Sequence, residues 1–396
     1  MAGMKANKVG LGLRLQPTAG VYNEPTQADM IAINEPDDGY EDVTAEDATQ
    51  TGSIFAAPRQ FIGRRGRAGA TFNLRGPGGA TPFAAGAWGP GLIMQAAGFA
   101  EIINPTEITG AAGAGTTSSI VMTSAASAID DFYKGMPIQH ALIGDADTIR
   151  GTSIISDFDG ATKTATILDI VSSAITGGNW RIPPSVNYLL GNGEGIPLLS
   201  AKVWRHKKAR RYRDCALSSF ALNIPVGNLQ STDVPTIEFS MFGVPLPSVD
   251  ELAPILPQRL LTPTPIAKKG KFIFAGVKMG HQTMRLEFGL ETGALPNQNF
   301  DEGQESYEVI SGTQTLTLDL NEQLKSQFDF DDMTENQREI GVLSGWGTQK
   351  GQRFIASVPT ALPNSFNPQS RNGFVGLSGG AAPNGVDRAI GLSLVF

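Results

Sequence analysis

Several stretches of this chain alternate apolar and polar residues one for one, a period that commits them to strands with one buried and one wet face. Within residues 313–320, Leu316, Leu318 and Leu320 fall on one side and Thr315, Thr317 and Asp319 on the other. The same alternation sets Phe72 and Leu74 against Thr71, Asn73 and Arg75, and Ile237, Phe239 and Met241 against Thr236, Glu238 and Ser240. Met284, Leu286 and Phe288 likewise alternate with Arg285 and Glu287. Ile390, Leu392, Leu394 and Phe396 share a face, which places the last residues inside a sheet. Composition agrees: 47 glycines, 25 prolines and only 17% charged residues suit many strands joined by tight turns, since an average globular protein has roughly 25% charged residues.

Helical signals are few. One helix is predicted from near Pro90 through Leu92, Ile93, Met94 and Ala97 to a stop at Gly98. A second is predicted to open at Thr334, with Gln337 reaching back to cap it, and to run through Ile340 and Leu343 to Gly345. Each follows a strongly alternating strand, so the order strand, helix, strands occurs twice, a weak internal duplication. Prolines 254, 257, 263 and 265 break the chain before or within residues 258–270 and mark a linker between the halves. Residues 106–180, rich in Thr, Ser, Ala and Gly, with turn signals at Gly144-Asp145 and Asp159-Gly160, read as a small all-β insertion.

The single cysteine, Cys215, excludes an intrachain disulfide framework and fits a reducing compartment. No window approaches the ~18 apolar residues of a membrane span, and residues 1–10 lack the apolar region of a secretion signal, so a soluble protein without a membrane partner is expected. A net charge of −7 argues against nucleic-acid binding by the molecule as a whole.

Catalytic signals are weak. His140, His206 and His281 stand far apart, with no second histidine at ligand spacing. The glycine-rich run 110–119 lacks the lysine of a phosphate loop, and the run 76–91 holds no dinucleotide fingerprint. A GxSxG match centred on Ser378 is followed by Pro383 and Gly385, a loop where a hydrolase needs a helix, and no histidine follows it. No catalytic residue, metal site or cofactor is therefore expected.

Two charge clusters stand out. Lys202, Arg205, Lys207, Lys208, Arg210, Arg211 and Arg213 fall within twelve residues of an otherwise acidic protein. They read either as a phosphate-binding strip or, better, as a strip at a subunit interface, where opposite charges fix register. Asp37, Asp38, Glu41, Asp42, Glu46 and Asp47, with Glu35, form an acidic excursion that is the natural counterpart, or else a solvated loop.

Residues 13–25 (LRLQPTAGVYNEP), the polar excursion 37–52, and residues 64–76 and 89–98 together resemble the opening of the major tail tube proteins of long-tailed bacteriophages. Residues 130–136 (DDFYKGM), 154–167 (IISDFDGATKTATI) and 180–183 resemble a small β module that recurs in phage virion proteins. The resemblance implies a mainly-β chain: a duplicated tail-tube-type β-barrel or sandwich with short helices and an inserted small all-β domain. The expected division is residues 1–104 and 187–257 for the first unit, 105–186 for the insertion, 258–270 for the linker and 271–396 for the second unit.

It further implies self-association into trimeric, pseudo-hexameric rings, or alternatively hexameric ones, stacked as a virion tail tube that is assembled in the bacterial cytoplasm and conducts double-stranded DNA. A tape measure protein and a tail terminator are the implied partners. The acidic residues would then form an inter-ring loop, unsettled in the free subunit and ordered by the next ring. Glu238, Glu287 and Asp319, on wet strand faces, are the candidates to line the lumen. The alternatives are a β-sandwich enzyme acting on polysaccharide, or another virion part such as a head decoration or baseplate protein.

Overall fold

The computed structural model describes residues 9–46, 59–123, 126–145, 147–193, 195–227, 233–256, 263–300, 304–371, 374–385 and 388–396. The first half contains β1 (Val9–Leu15), β2 (Met30–Ile31), β3 (Glu35–Glu46), β4 (Arg59–Asn73), α1 (Gly89–Ala96) and β5 (Phe99–Asn104). The insertion follows as β6 (Ile108–Ala111), β7 (Ser119–Val121), β8 (Pro137–His140), β9 (Thr152–Asp159), β10 (Thr164–Ile167) and β11 (Asn179–Ile182). The first half resumes with β12 (Ser185–Leu190), β13 (Leu199–Arg205), β14 (Lys208–Pro225) and β15 (Thr236–Asp250). The second half holds β16 (Lys271–Phe274), β17 (Val277–Lys278), β18 (His281–Pro296), β19 (Gln304–Asn321), α2 (Phe330–Glu335), β20 (Ile340–Trp346), β21 (Arg353–Arg371), β22 (Phe374–Pro383) and β23 (Gly391–Val395).

The architecture is mainly β, a sandwich in which no sheet closes into a barrel among the described residues. Its central feature is an antiparallel sheet that crosses both halves in the order β3–β4–β15–β14–β18–β19–β22–β21. The dry face is the one read from alternation: Phe72, Ile237, Phe239, Leu286, Phe288, Leu316, Leu318 and Leu320 are buried in one continuous core. A second layer, β5–β12–β23, covers that core and again joins first half to second. Phe99 of β5 packs on Phe220 and Phe288, ring centroids 6.1 and 5.4 Å away, directly behind the β14–β18 seam.

Helix α1 lies where the Pro and Gly signals put it: Pro90 sits in its first turn, and Gly98, at φ +94, ends it in the left-handed region that glycine alone enters freely. At Gly91 a Cβ would lie 2.1 Å from the Tyr188 hydroxyl, so the helix reaches the second layer only without a side chain there.

The second helix differs from expectation. Asp329, not Thr334, caps it by accepting from the Asp332 amide, and Ile340–Trp346 forms β20. The hydroxyl of Thr334 turns back to the Phe330 carbonyl, and Ile340, Val342 and Leu343 are buried within the sheet. The excursion 37–46, expected as a loop, is most of strand β3, paired along its length with β4. Asp47 lies outside the described residues.

The insertion forms its own six-stranded sheet with a separate core around Trp180, Ile138 and Phe158. It is not detached from the second half: Ile149, Ile154 and Leu168 close a buried cluster with Ile273, Leu343, Ile355 and Val395. At its margin the Lys271 ammonium lies 2.5 Å from Asp169 and donates to the Thr152 carbonyl at 3.0 Å. Burial pushes Lys271 below the ordinary lysine range, with Asp169 acting against that shift.

Candidate functional site

The basic strip is a hairpin, β13 and β14 joined through His206 and Lys207. Its residues divide by where their carboxylates come from. Lys202 is buried and bonded to Glu24 and, at 2.6 Å, to Glu251, which also accepts from the Trp204 indole at 2.9 Å. Burial works against the Lys202 charge, but these hydrogen bonds outweigh it and hold the ammonium above the usual lysine range.

Arg205 and Arg210 both donate to Asp38, whose side chain is wholly enclosed. Arg211 donates to the Pro247 carbonyl at 2.8 Å, and Arg213 to Asp214 and to the Glu305 carbonyl. Asp214 in turn accepts from the Gly20 amide at 2.7 Å and from Gln16. Of the seven, Lys207 and Lys208, at the turn, are the exposed residues.

The acidic excursion meets the basic strip at Asp38, within one chain, and its neighbouring carboxylates turn instead to arginines of β4. Besides Asp38, Asp37 pairs with Arg67 at 2.6 Å, Asp42 with Arg64 at 2.6 Å, and Glu41 with Arg65 at 2.9 Å, a ladder across the β3–β4 hairpin. Opposite charges on facing strands support a strand where acidic residues are otherwise disfavoured. Glu46 ends β3.

The three lumen candidates share one polar face of the central sheet. Thr71, Glu238, Ala221, Glu287 and Thr315 lie in a row across five strands, and Asn73, Thr236, Asn223, Arg285 and Thr317 form the next row. Arg285 lies 3.3 Å from Glu238 and 3.4 Å from Glu287, bridging β15 and β18 across β14. Asp319 accepts from the Thr283 hydroxyl at 2.7 Å. Arg75, just past the end of the neighbouring strand β4, donates to Thr264 at 2.8 Å.

The remaining chemical candidates do not converge. Among the described residues no group of three or more His, Cys, Asp or Glu is placed to hold a metal ion. His140 bonds the Gly177 carbonyl at 2.8 Å, while His281 stacks on Phe272 with ring centroids 3.9 Å apart and is lowered by burial to about 4. The Cys215 thiol is buried and shifted upward by desolvation, an inert state. Ser378 lies mid-strand in β22 between Asp319 and Asn367, so the GxSxG match is neither the loop its sequence suggested nor a nucleophile elbow. No helix among the described residues is long and apolar enough to cross a membrane.

Fold and surface together define a mainly-β sandwich whose central sheet spans two halves and presents one polar face. No protein-family model matches the chain, and no curated protein matches it.

Proposed function

We propose that this chain is a structural subunit of a phage-type tail tube: three copies close a ring, rings stack head to tail, and the enclosed channel passes double-stranded DNA. The observation that carries this reading is the β14–β18 seam, where two half-sheets are hydrogen-bonded into one within a single chain. A sheet that already joins two units edge to edge supplies the joint a ring needs between chains, and closure removes exposed edges.

Each chain contributes eight strands, so three copies would close about 24, more than the 16–18 strands that already leave an aqueous channel in porins. The polar face carrying Glu238, Glu287 and Asp319 suits the lumen, because fixed carboxylates repel the phosphate backbone and keep a conduit from gripping its cargo. Location in a virion tail, and a tape measure protein and tail terminator as partners, belong to the same proposal.

Negative-stain microscopy of the purified chain tests it. Rings or tubes support the reading; monodisperse monomers that turn over glycan would replace it with the polysaccharide-active enzyme.

A further inference from the structure

The two halves repeat each other in register, not only in order. The arm β3–β4 has its irregularity where Val43 faces Gly63 and Thr44 faces Phe61; the arm β18–β19 has one where Glu291 faces Ser311 and Thr292 faces Val309. The pair β14–β15 shifts register just after Leu217 and Met241, and β21–β22 just after Pro363 and Ala381. These coincidences make β3, β4, β15 and β14 the counterparts of β18, β19, β22 and β21. At residue level, Phe220 matches Phe366, Asn223 matches Gln369, Tyr40 matches Phe288 and Asp37 matches Arg285.

One side of β14 is occupied by β15 throughout. The other side takes β13 and then, from Ser219 to Pro225, β18. Strand β21 repeats this only in part: β22 and β23 hold one side, and β20 holds the other as far as Ala361. Among the described residues no strand pairs with that second side from Leu362 to Arg371, the place β18 takes on β14. Strand β3, the counterpart of β18, has β4 on one side and no strand among the described residues on the other. Pro36 in β3 and Pro368 in β21 lack the backbone N–H that a ladder uses, so a strand added along these edges keeps fewer hydrogen bonds than the internal seam.

We infer that β3 of a second copy pairs antiparallel with residues 365–371 of β21 in the register of the internal seam. Transferring Asn223–Arg285, Ala221–Glu287 and Phe220–Phe288 puts Gln369 opposite Asp37, Asn367 opposite Gly39 and Phe366 opposite Tyr40. At the end of the joint, Pro225–Thr283 becomes Arg371 opposite Glu35. The inference rests on the ring reading and specifies its joint.

The exposed tip of the first arm agrees. Phe61 is 57% exposed, whereas its counterpart Val309 packs with Tyr307 against Ala216 and Val244 of the first half. Seating β3 on β21 of a neighbour carries Phe61 to the equivalent place near Leu362 on the second half.

Paired cysteines in the full chain test the register, since Cys215 is buried and does not compete. In Asp37→Cys/Gln369→Cys the two Cα atoms would stand about 4.5–5.5 Å apart across the joint, within disulfide range. Mild oxidation should then link chains into a non-reducing ladder that stops at the ring. Asp37→Cys/Ser365→Cys, offset by about 13 Å along the strand, should show no more linkage than either single cysteine. Glu35→Cys/Arg371→Cys repeats the test should the first pair not fold.

Rings or tubes by microscopy with no register-specific link would overturn this joint and leave the tube proposal standing. A register-specific link in assemblies that never stack would establish the joint and overturn the tube. Monomers with no link in any pair would overturn both.

Discussion

Arg210 of β14 donates a 2.7 Å hydrogen bond to Asp38 of β3, tying the edge strand of the first arm to the sheet behind it. Arg205 completes the pair of guanidiniums on this one enclosed carboxylate. Asp38→Asn should therefore destabilise the folded chain by about 2 kcal/mol, the scale of hydrogen bonds to charged groups, in a urea titration of the unassembled protein. A change below 0.5 kcal/mol, the scale of an ordinary surface substitution, would mean that the two arginines lose nothing without it.

The division of the basic strip predicts a contrast between neighbours. Lys207→Glu/Lys208→Glu should leave the unfolding midpoint nearly unchanged, because both residues are exposed at a turn. Arg205→Glu/Arg210→Glu should lower it clearly, by setting two carboxylates against Asp38. Comparing the two double variants by circular dichroism also separates surface from fold: weakened assembly in the lysine variant alone marks the turn as an interface.

This strip shows what sequence reveals and what it withholds. Alternation exposed the dry and wet faces of β4, β15, β18 and β19, because a half-buried strand must repeat every two residues. The arginines were visible as a cluster, but their partners Glu24, Asp38 and Glu251 come from remote segments, and nothing in a linear spacing marks them. Strand β3 is not legible in the sequence because its acidic residues are poor strand formers, and the arginine ladder that offsets this lies across a hairpin whose pairing only the fold displays. In α2 the Thr334 and Gln337 pair imitates a cap, while the effective cap, Asp329, stands five residues earlier.

The insertion, read from sequence as a module with its own core, also covers apolar residues of the second half. Deleting residues 106–180 should expose Ile273, Leu343, Ile355 and Val395 and leave Lys271 without Asp169, so soluble, folded protein should fall sharply. A deletion variant with native near-ultraviolet circular dichroism would show that this contact is dispensable.

His281 gives the fold a pH dependence whose sign is fixed. Its folded value, lowered to about 4, lies below the unfolded value of 6.5, so the unfolded chain binds the extra proton between them. The stability present above pH 6.5 should be lost as pH falls from 6.5 towards 4, by about 2 kcal/mol between pH 7.5 and pH 5. His281→Phe keeps the stack on Phe272 and should flatten that part of the profile in urea titrations at the two pH values. An unchanged slope would assign the dependence to other groups.

The lumen assignment predicts a gain of binding. Glu238→Lys/Glu287→Lys/Asp319→Lys should still assemble, as the substituted positions sit on the polar sheet face, but the assembled tubes should retain duplex DNA in a salt-sensitive way. Filter binding at low and high salt distinguishes this from the wild-type tube, which should retain none. Equal retention by both would place these residues away from the channel.

The most direct measurement is the number of chains in one ring. Two sheet units per chain, joined at the β14–β18 seam, require three copies to make the six-unit circle proposed here. Symmetry-free averaging of end views, together with the mass of single rings by mass photometry, should give three chains per layer with six repeating lobes. Six chains per layer, or an assembly without rings, would contradict the account.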